Sequence, residues 1–366
     1  MIKNQTSVAE AVGKGHPDKQ ADAMSDAVLD AKMDRAVAAG HPPSSVRVAC
    51  EVMINGADII VGGEISAPEG VYDAEAVEAA VREVYFAYGN DLRDDLRVTN
   101  LIRPQAGEIA ALTVDGAGDQ GIMEGYATTR TRSMLPPETE KAWALITRAY
   151  DLATDGTLPW LRLDTKSQVA LDPSGEVISV IMSVQHRASV DLEELRREVL
   201  DRVVHPCLGD VAPGLVKINH KGSFIEGGAD ADCGLTGRKI VVDAYGPSVA
   251  VGGGAFSGKD ATKVDRSAAY MARFIARQVL ASHPGGGTDC TVKLAYGIGQ
   301  LQPEAVSAII DGKHDVSDWV RARFSDLSPR AIQDRLGLWR REGWRYRDTA
   351  SFGHYGRDLF PWEHAE

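Results

Sequence analysis

A chain of 366 residues with 44% hydrophobic and 25% charged side chains has the composition of a globular protein with room for two or three domains. Its net charge of −12 argues against nonspecific nucleic-acid binding, and no apolar run could span a membrane. Nothing near the N-terminus resembles a signal sequence, and the cysteines (Cys50, Cys207, Cys233, Cys290) form no zinc or disulfide pattern, so the cytoplasm is the expected compartment.

In chain order, Gly15-His16-Pro17-Asp18-Lys19 runs into a predicted helix ending near Gly40, with Pro17 at its start and Ala21, Met24, Val28 and Ala31 as an apolar stripe. Two apolar runs, 46–54 and 58–66, flank Asn55-Gly56 and predict a hairpin. Residues 74–88 then read as a helix through Val77, Val81, Val84 and Tyr88. The order recurs: a helix over 138–154, strands over 167–171 and 176–185, and a helix over 192–204. A strand is expected over Ile240–Asp243, then a helix after Lys263, a strand over 290–298, and helices over 316–324 and 329–338.

Leading helices begin near positions 17, 139 and 262, a period too long for a solenoid. The pattern predicts an α+β protein of three similar domains, 1–103, 116–227 and 228–366, each a sheet covered by helices.

Gly252 to Arg266 carries the strongest chemical signal. Its glycines permit close backbone approach, and Lys259, Lys263, Asp265 and Arg266 lead into a helix, which favours a polyphosphate with a metal. The stretch reads G-x-x-x-x-G-K from Gly253, but Asp260 follows where a P-loop needs Ser or Thr. Elsewhere, glycine-flanked turns bring further acids and cations: His16, Asp18 and Lys19; Asp119; Asp164 and Lys166; Arg238 and Lys239. Each alone is consistent with a solvated loop or a surface ion pair. Core packing does not require such sets in every repeat.

GHPDK, GAGDQG, DTKSQV, GLTGRK and GGGAFSGKDATKVDRSAAY, in this order, resemble the S-adenosylmethionine synthetase (methionine adenosyltransferase) family, and the likeness reaches Phe360-Pro361-Trp362-Glu363. The resemblance implies three α+β domains in a pseudo-threefold arrangement, and homodimers or homotetramers whose active sites lie between subunits. It implies transfer of the adenosyl group of ATP to L-methionine, releasing phosphate and diphosphate by way of tripolyphosphate, with Mg²⁺ (two per site) and K⁺. By the same resemblance His16, Lys166, Arg238 and Lys259 are catalytic, and Asp119, Asp164, Phe224, Asp232, Lys239 and Ala255 complete the ATP site. Glu64, Gln105, Asp232 and Lys263 are expected to hold methionine, Asp18 and Asp265 to hold Mg²⁺, and Glu51 to hold K⁺.

The chain departs from the family at Lys14 (ordinarily Glu), Ser223 (Arg), Pro247 and Val251, and at Ala229-Asp230-Ala231 before Asp232. The lid between Gln105 and Gly116 is also shorter than usual, which suggests a more open amino-acid pocket. Two alternatives follow: a non-catalytic ATP-binding homologue, or a synthetase specialised for methionine analogues. Retention of His16, Asp18, Lys259 and Asp265 favours an active enzyme.

Overall fold

The computed structural model describes residues 5–91, 93–104 and 116–364. Three four-stranded sheets form the framework. The first has the order β4-β3-β2-β9, from β2 (Arg47–Asn55), β3 (Asp58–Ser66), β4 (Arg97–Asn100) and β9 (Gly234–Leu235). The second is β1-β6-β7-β8, from β1 (Ser7–Val12), β6 (Leu161–Leu171), β7 (Val177–His186) and β8 (Val216–Ile218). The third is β12-β11-β10-β5, from β5 (Gly121–Thr128), β10 (Asp289–Tyr296), β11 (Ala305–Ile310) and β12 (His314–Asp315).

A long helix packs on each sheet: α1 (Pro17–Ala38), with α2 (Ala74–Ala87) beside it, on β2; α3 (Pro137–Thr154) on β1 and β6; and α5 (Val264–Ser282) on β5 and β10. Between the last two in sequence lies α4 (Leu192–Val199). The β2–β3 hairpin has the period expected of a half-buried sheet, with Val48, Cys50, Val52 and Ile54 buried and Ala49, Glu51 and Met53 on the other face. Gly56 closes its turn at φ 58°, the left-handed conformation that a two-residue hairpin needs.

The three sheets do not follow the chain contiguously. β1 pairs antiparallel with β6, β5 with β10, and β9 with β2. Each repeat thus gives one strand to the sheet of another, in a closed cycle that makes the three parts mutually dependent. Two expectations need correction. Ile240–Asp243 is a short helix, not a strand; its β-branched run suggested extension, but the Asp243 amide closes onto the Lys239 carbonyl at 2.8 Å. The predicted 192–204 helix ends at Val199 and continues as a π-type stretch to Val204.

α1 is buried along most of its length although it carries an aspartate at every fourth position: Asp18, Asp22, Asp26, Asp30 and Asp34. Four-residue spacing puts them on one stripe. Each meets cations or amides from far along the chain. Asp22 bonds Lys19 (2.8 Å) and the Gly237 amide (2.8 Å). Asp26 takes Arg266 bidentately at 2.6 and 2.9 Å, and Asp30 and Asp34 share Arg341 at 2.7 and 2.8 Å. Removing one partner of such a pair leaves a buried charge uncompensated, which costs about 3–5 kcal/mol. We therefore expect Arg266→Met to lose about that much in urea denaturation; a loss below about 1 kcal/mol would show that the pair is not structural.

Candidate active site

His16 caps the N-terminus of α1, with extended backbone and its Nδ1 accepting the Asp18 amide at 3.2 Å. The preceding turn can lie this close to β6 because residues 13 and 15 are glycine. A Cβ on Gly15 would stand 2.4 Å from the Asp164 nitrogen. The β1–β6 pairing brings the two motifs together, with Val12 opposite Lys166. The Asp164 carboxylate accepts the Gly228 amide at 2.7 Å, and burial pushes its pKa up to about 6. Lys166 pairs with Glu10 at 3.1 Å.

Asp18 is the hub of this cluster. Its carboxylate takes Lys239 at 2.5 Å, the Leu235 amide at 3.0 Å and Arg238 at 3.3 Å. Burial raises its carboxyl, but the Lys239 and Leu235 hydrogen bonds outweigh that and hold it below the usual range. Burial, then the positive charge of Lys239, push His16 down to about 4. The imidazole is therefore neutral at pH 7, and because Nδ1 accepts a hydrogen bond the proton sits on Nε2. Phe224 stands at the end of β7, its backbone bonded on both sides to His186 (2.9 and 3.1 Å). Asp232 lies close enough for its charge to raise the Asp164 pKa. A cavity of about 230 Å³ lies behind this cluster, between Gly15, Gln20, Arg162, Gln185 and Gly228.

A second cluster surrounds the glycine-rich loop. Lys259 pairs with Asp265, in the first turn of α5, at 2.6 Å. The loop is docked rather than loose: the Cys50 amide donates to the Gly258 carbonyl at 2.9 Å, and the Asp260 amide to Val48 at 3.0 Å. A Cβ on Gly258 would fall 1.9 Å from the Cys50 oxygen, so only glycine fits. Lys263 stands 3.8 Å from the buried Asp260. Glu51 is exposed and Glu64 half-buried on β2 and β3; Asp119 is exposed near the start of β5. Ala255 faces Gly237 of the first cluster. Gln105 and the lid lie outside the described residues.

Among the described residues, no hydrogen bond or ion pair joins a predicted site residue of one cluster to one of the other. Sequence reasoning missed the partners that hold these groups, namely Glu10, Asp22, Asp26 and Asp243. The repeat of aspartate along 18–34 was the available signal for two of them.

Three family models match the chain: the N-terminal domain of S-adenosylmethionine synthetase over residues 4–106, the central domain over 114–224 and the C-terminal domain over 226–364. Together they span nearly all of it. The chain belongs to the S-adenosylmethionine synthetase family. Its activity is that of a methionine adenosyltransferase, which makes S-adenosylmethionine from ATP and L-methionine. The α+β architecture of three parts agrees with this synthetase assignment. No helix among the described residues is long and apolar enough to cross a membrane.

The depressed His16 pKa gives a test. In NMR titration His16 should protonate near pH 4, and Lys239→Met should raise that midpoint. An unfolded histidine protonates near 6.5, so the stability contributed by neutral His16 is present above that pH and lost as pH falls toward 4. A midpoint at 6.5 or above would refute the buried, neutral imidazole.

Proposed function

We propose that the two clusters divide the work of the synthetase reaction between them. The methionine sulfur attacks C5′ of ATP, the C5′–O bond breaks, and the oxygen departs with the triphosphate chain. A thioether has no proton to remove, so the demand is for alignment and for stabilisation of a strongly anionic leaving group. In this reading the Nε2–H of His16 donates to the departing 5′ oxygen, and Lys166, Arg238, Lys239 and Lys259 hold the phosphates. Asp119, Asp164, Asp232, Phe224 and Ala255 complete the nucleotide site. Glu64, Gln105, Asp232 and Lys263 take methionine, with Glu64 on its ammonium. Water then cleaves the tripolyphosphate to phosphate and diphosphate. The observation that carries the reading is the meeting at Asp18 of two motifs more than 200 positions apart: Asp18, whose amide donates to the neutral His16, takes both Arg238 and Lys239 on its carboxylate.

Among the described residues no three acids, histidines or cysteines gather into a metal cage. Asp18 and Asp265 instead offer single carboxylates, each beside a lysine. That suits Mg²⁺, two per site, which retains waters and binds through one or two carboxylates plus substrate phosphates. The metal would neutralise phosphate charge, and Glu51 would serve K⁺. We further assign the protein to the cytoplasm as a homodimer or homotetramer, and keep the domain limits at 1–103, 116–227 and 228–366. The shared site is supported by the lack of polar links between the clusters among the described residues, and by the partly exposed sheet face carrying Ala49, Glu51, Met53, Ile60 and Gly62.

Three experiments test these roles. Lys259→Ala should lower kcat about 10²–10³-fold by loss of one leaving-group contact, and an unchanged kcat removes the residue from that role. If the active site lies between subunits, mixing inactive His16→Asn and Lys259→Ala proteins should restore roughly a quarter of wild-type activity, because mixed dimers regain one intact site. No recovery after subunit exchange would place both residues in one subunit's site. Separately, Asp18→Asn and Asp265→Asn should each raise the Mg²⁺ concentration for half-maximal activity, an amide being the poorer ligand. Unmoved midpoints would refute the metal assignment.

A further inference from the structure

Between Val12 and His16 the only side chain is that of Lys14, because positions 13 and 15 are glycine. Both glycines are bound to β6 through their backbones, Gly13 donating to the Thr165 carbonyl at 2.8 Å and Gly15 to the Leu163 carbonyl at 2.9 Å. Neither tolerates a Cβ: one on Gly13 would lie 2.2 Å from the Thr165 hydroxyl. Any side-chain anchor for the segment that delivers His16 must come from Lys14.

Lys14 has such an anchor. Its ammonium lies 4.5 Å from the centre of the Tyr150 ring, 5.4 Å from Phe352 and 5.5 Å from Tyr88, and donates to the Tyr150 hydroxyl at 3.4 Å. All three rings are within the range at which a cation is drawn to an aromatic face. They come from three distant places: Tyr88 ends α2, Tyr150 lies on α3, and Phe352 belongs to the C-terminal segment. The enclosure is built at some cost, since Phe352 has φ 61°, a left-handed conformation that bulky residues rarely adopt. Further contacts hold the rings: Tyr88 bonds the Ser351 hydroxyl at 3.1 Å, and Phe352 meets Tyr150 edge-on at 5.2 Å.

We propose that Lys14 is a positioning residue for His16: its ammonium, held by Tyr88, Tyr150 and Phe352, sets the backbone that places the imidazole against the departing 5′ oxygen. Rings from all three parts of the fold converge on it, so the relative seating of those parts is transmitted to His16 through one side chain. Methionine at this position would fill the space but lose the attraction, whereas arginine would keep it.

The inference rests on the role given to His16, and tripolyphosphate hydrolysis separates the two. Hydrolysis of added tripolyphosphate breaks no C5′–O bond, so it does not use His16. Lys14→Met should lower kcat for adenosyl transfer about tenfold or more, change KM for ATP less than about threefold, and leave tripolyphosphate hydrolysis within about twofold. Lys14→Arg should recover kcat to within about threefold of wild type. Equal loss of both activities, or a lowered melting temperature with unchanged kcat, would mean that Lys14 only packs the junction. Should Lys14→Met fail to fold, Tyr150→Leu removes one wall of the enclosure and must show the same selective loss. Full activity in His16→Asn would instead overturn the role assigned to His16.

Discussion

Buried carboxylates on one side of α1 set the terms for the rest of the molecule. A charged aspartate removed from water is tolerated only when cations and amides take the place of its hydration. For Asp18, Asp26 and Asp30 those groups come from residues 235–266 and 341–347, more than 200 positions away, and Asp22 adds the equally distant Gly237 amide to its neighbour Lys19. The helix cannot be completed by its own third of the chain. The same contacts give the site its rigidity. Asp26 accepts the Gly258 amide at 2.8 Å while its partner Arg266 donates to the Lys259 carbonyl at 3.1 Å, so the peptide before Lys259 is held at both ends. One helix therefore carries His16 at its tip and, about three turns further on, anchors the loop of the second cluster.

Periodicity revealed the elements whose burial is one-sided. α2 and the β2–β3 hairpin bury one face and expose the other, and their apolar spacing survives in the sequence. α1 was legible as a helix for a weaker reason, its proline start and its alanines. The stripe of Ala21, Met24, Val28 and Ala31 described only part of what it buries, because α2 packs on it from one direction and the C-terminal third from another. Strands β1 and β5 left little trace of their own. They are edge strands stabilised by partners in another repeat, and such pairing is invisible to local propensity.

The site was legible in a corresponding way. Residue types were readable wherever glycine, acid and cation sat within a few positions, as in GHPDK and GLTGRK. What could not be read was which motifs meet. Val12 opposite Lys166 and Met53 opposite Leu235 are products of the strand exchange, and these pairings gather three motifs about the N-terminal end of α1. The split into two clusters was equally hidden, since chain order interleaves them: Asp119 precedes Asp164, and Lys259 follows Lys239.

A chain with net charge −12 that binds a polyphosphate must hold its cations at defined positions where the anion can reach them. Here pairing is the means. Lys239 and Arg238 lie on Asp18, Lys166 on Glu10 and Lys259 on Asp265, so each phosphate-binding candidate is held by a carboxylate of defined position. A lysine fixed this way loses little further freedom when an anion arrives, which lowers the entropic cost of binding. It must also give up part of a charged hydrogen bond. That loss stays small only if the carboxylate gains a new partner as the lysine turns to phosphate. Asp18 and Asp265 are hard oxygen donors at the positions assigned to Mg²⁺, so an anion and a divalent cation entering together exchange partners with a pre-formed pair and leave no charge unmatched. Glu10, to which no metal is assigned, does not follow this rule. Its pair with Lys166 is the more exposed, and water can solvate the released carboxylate there.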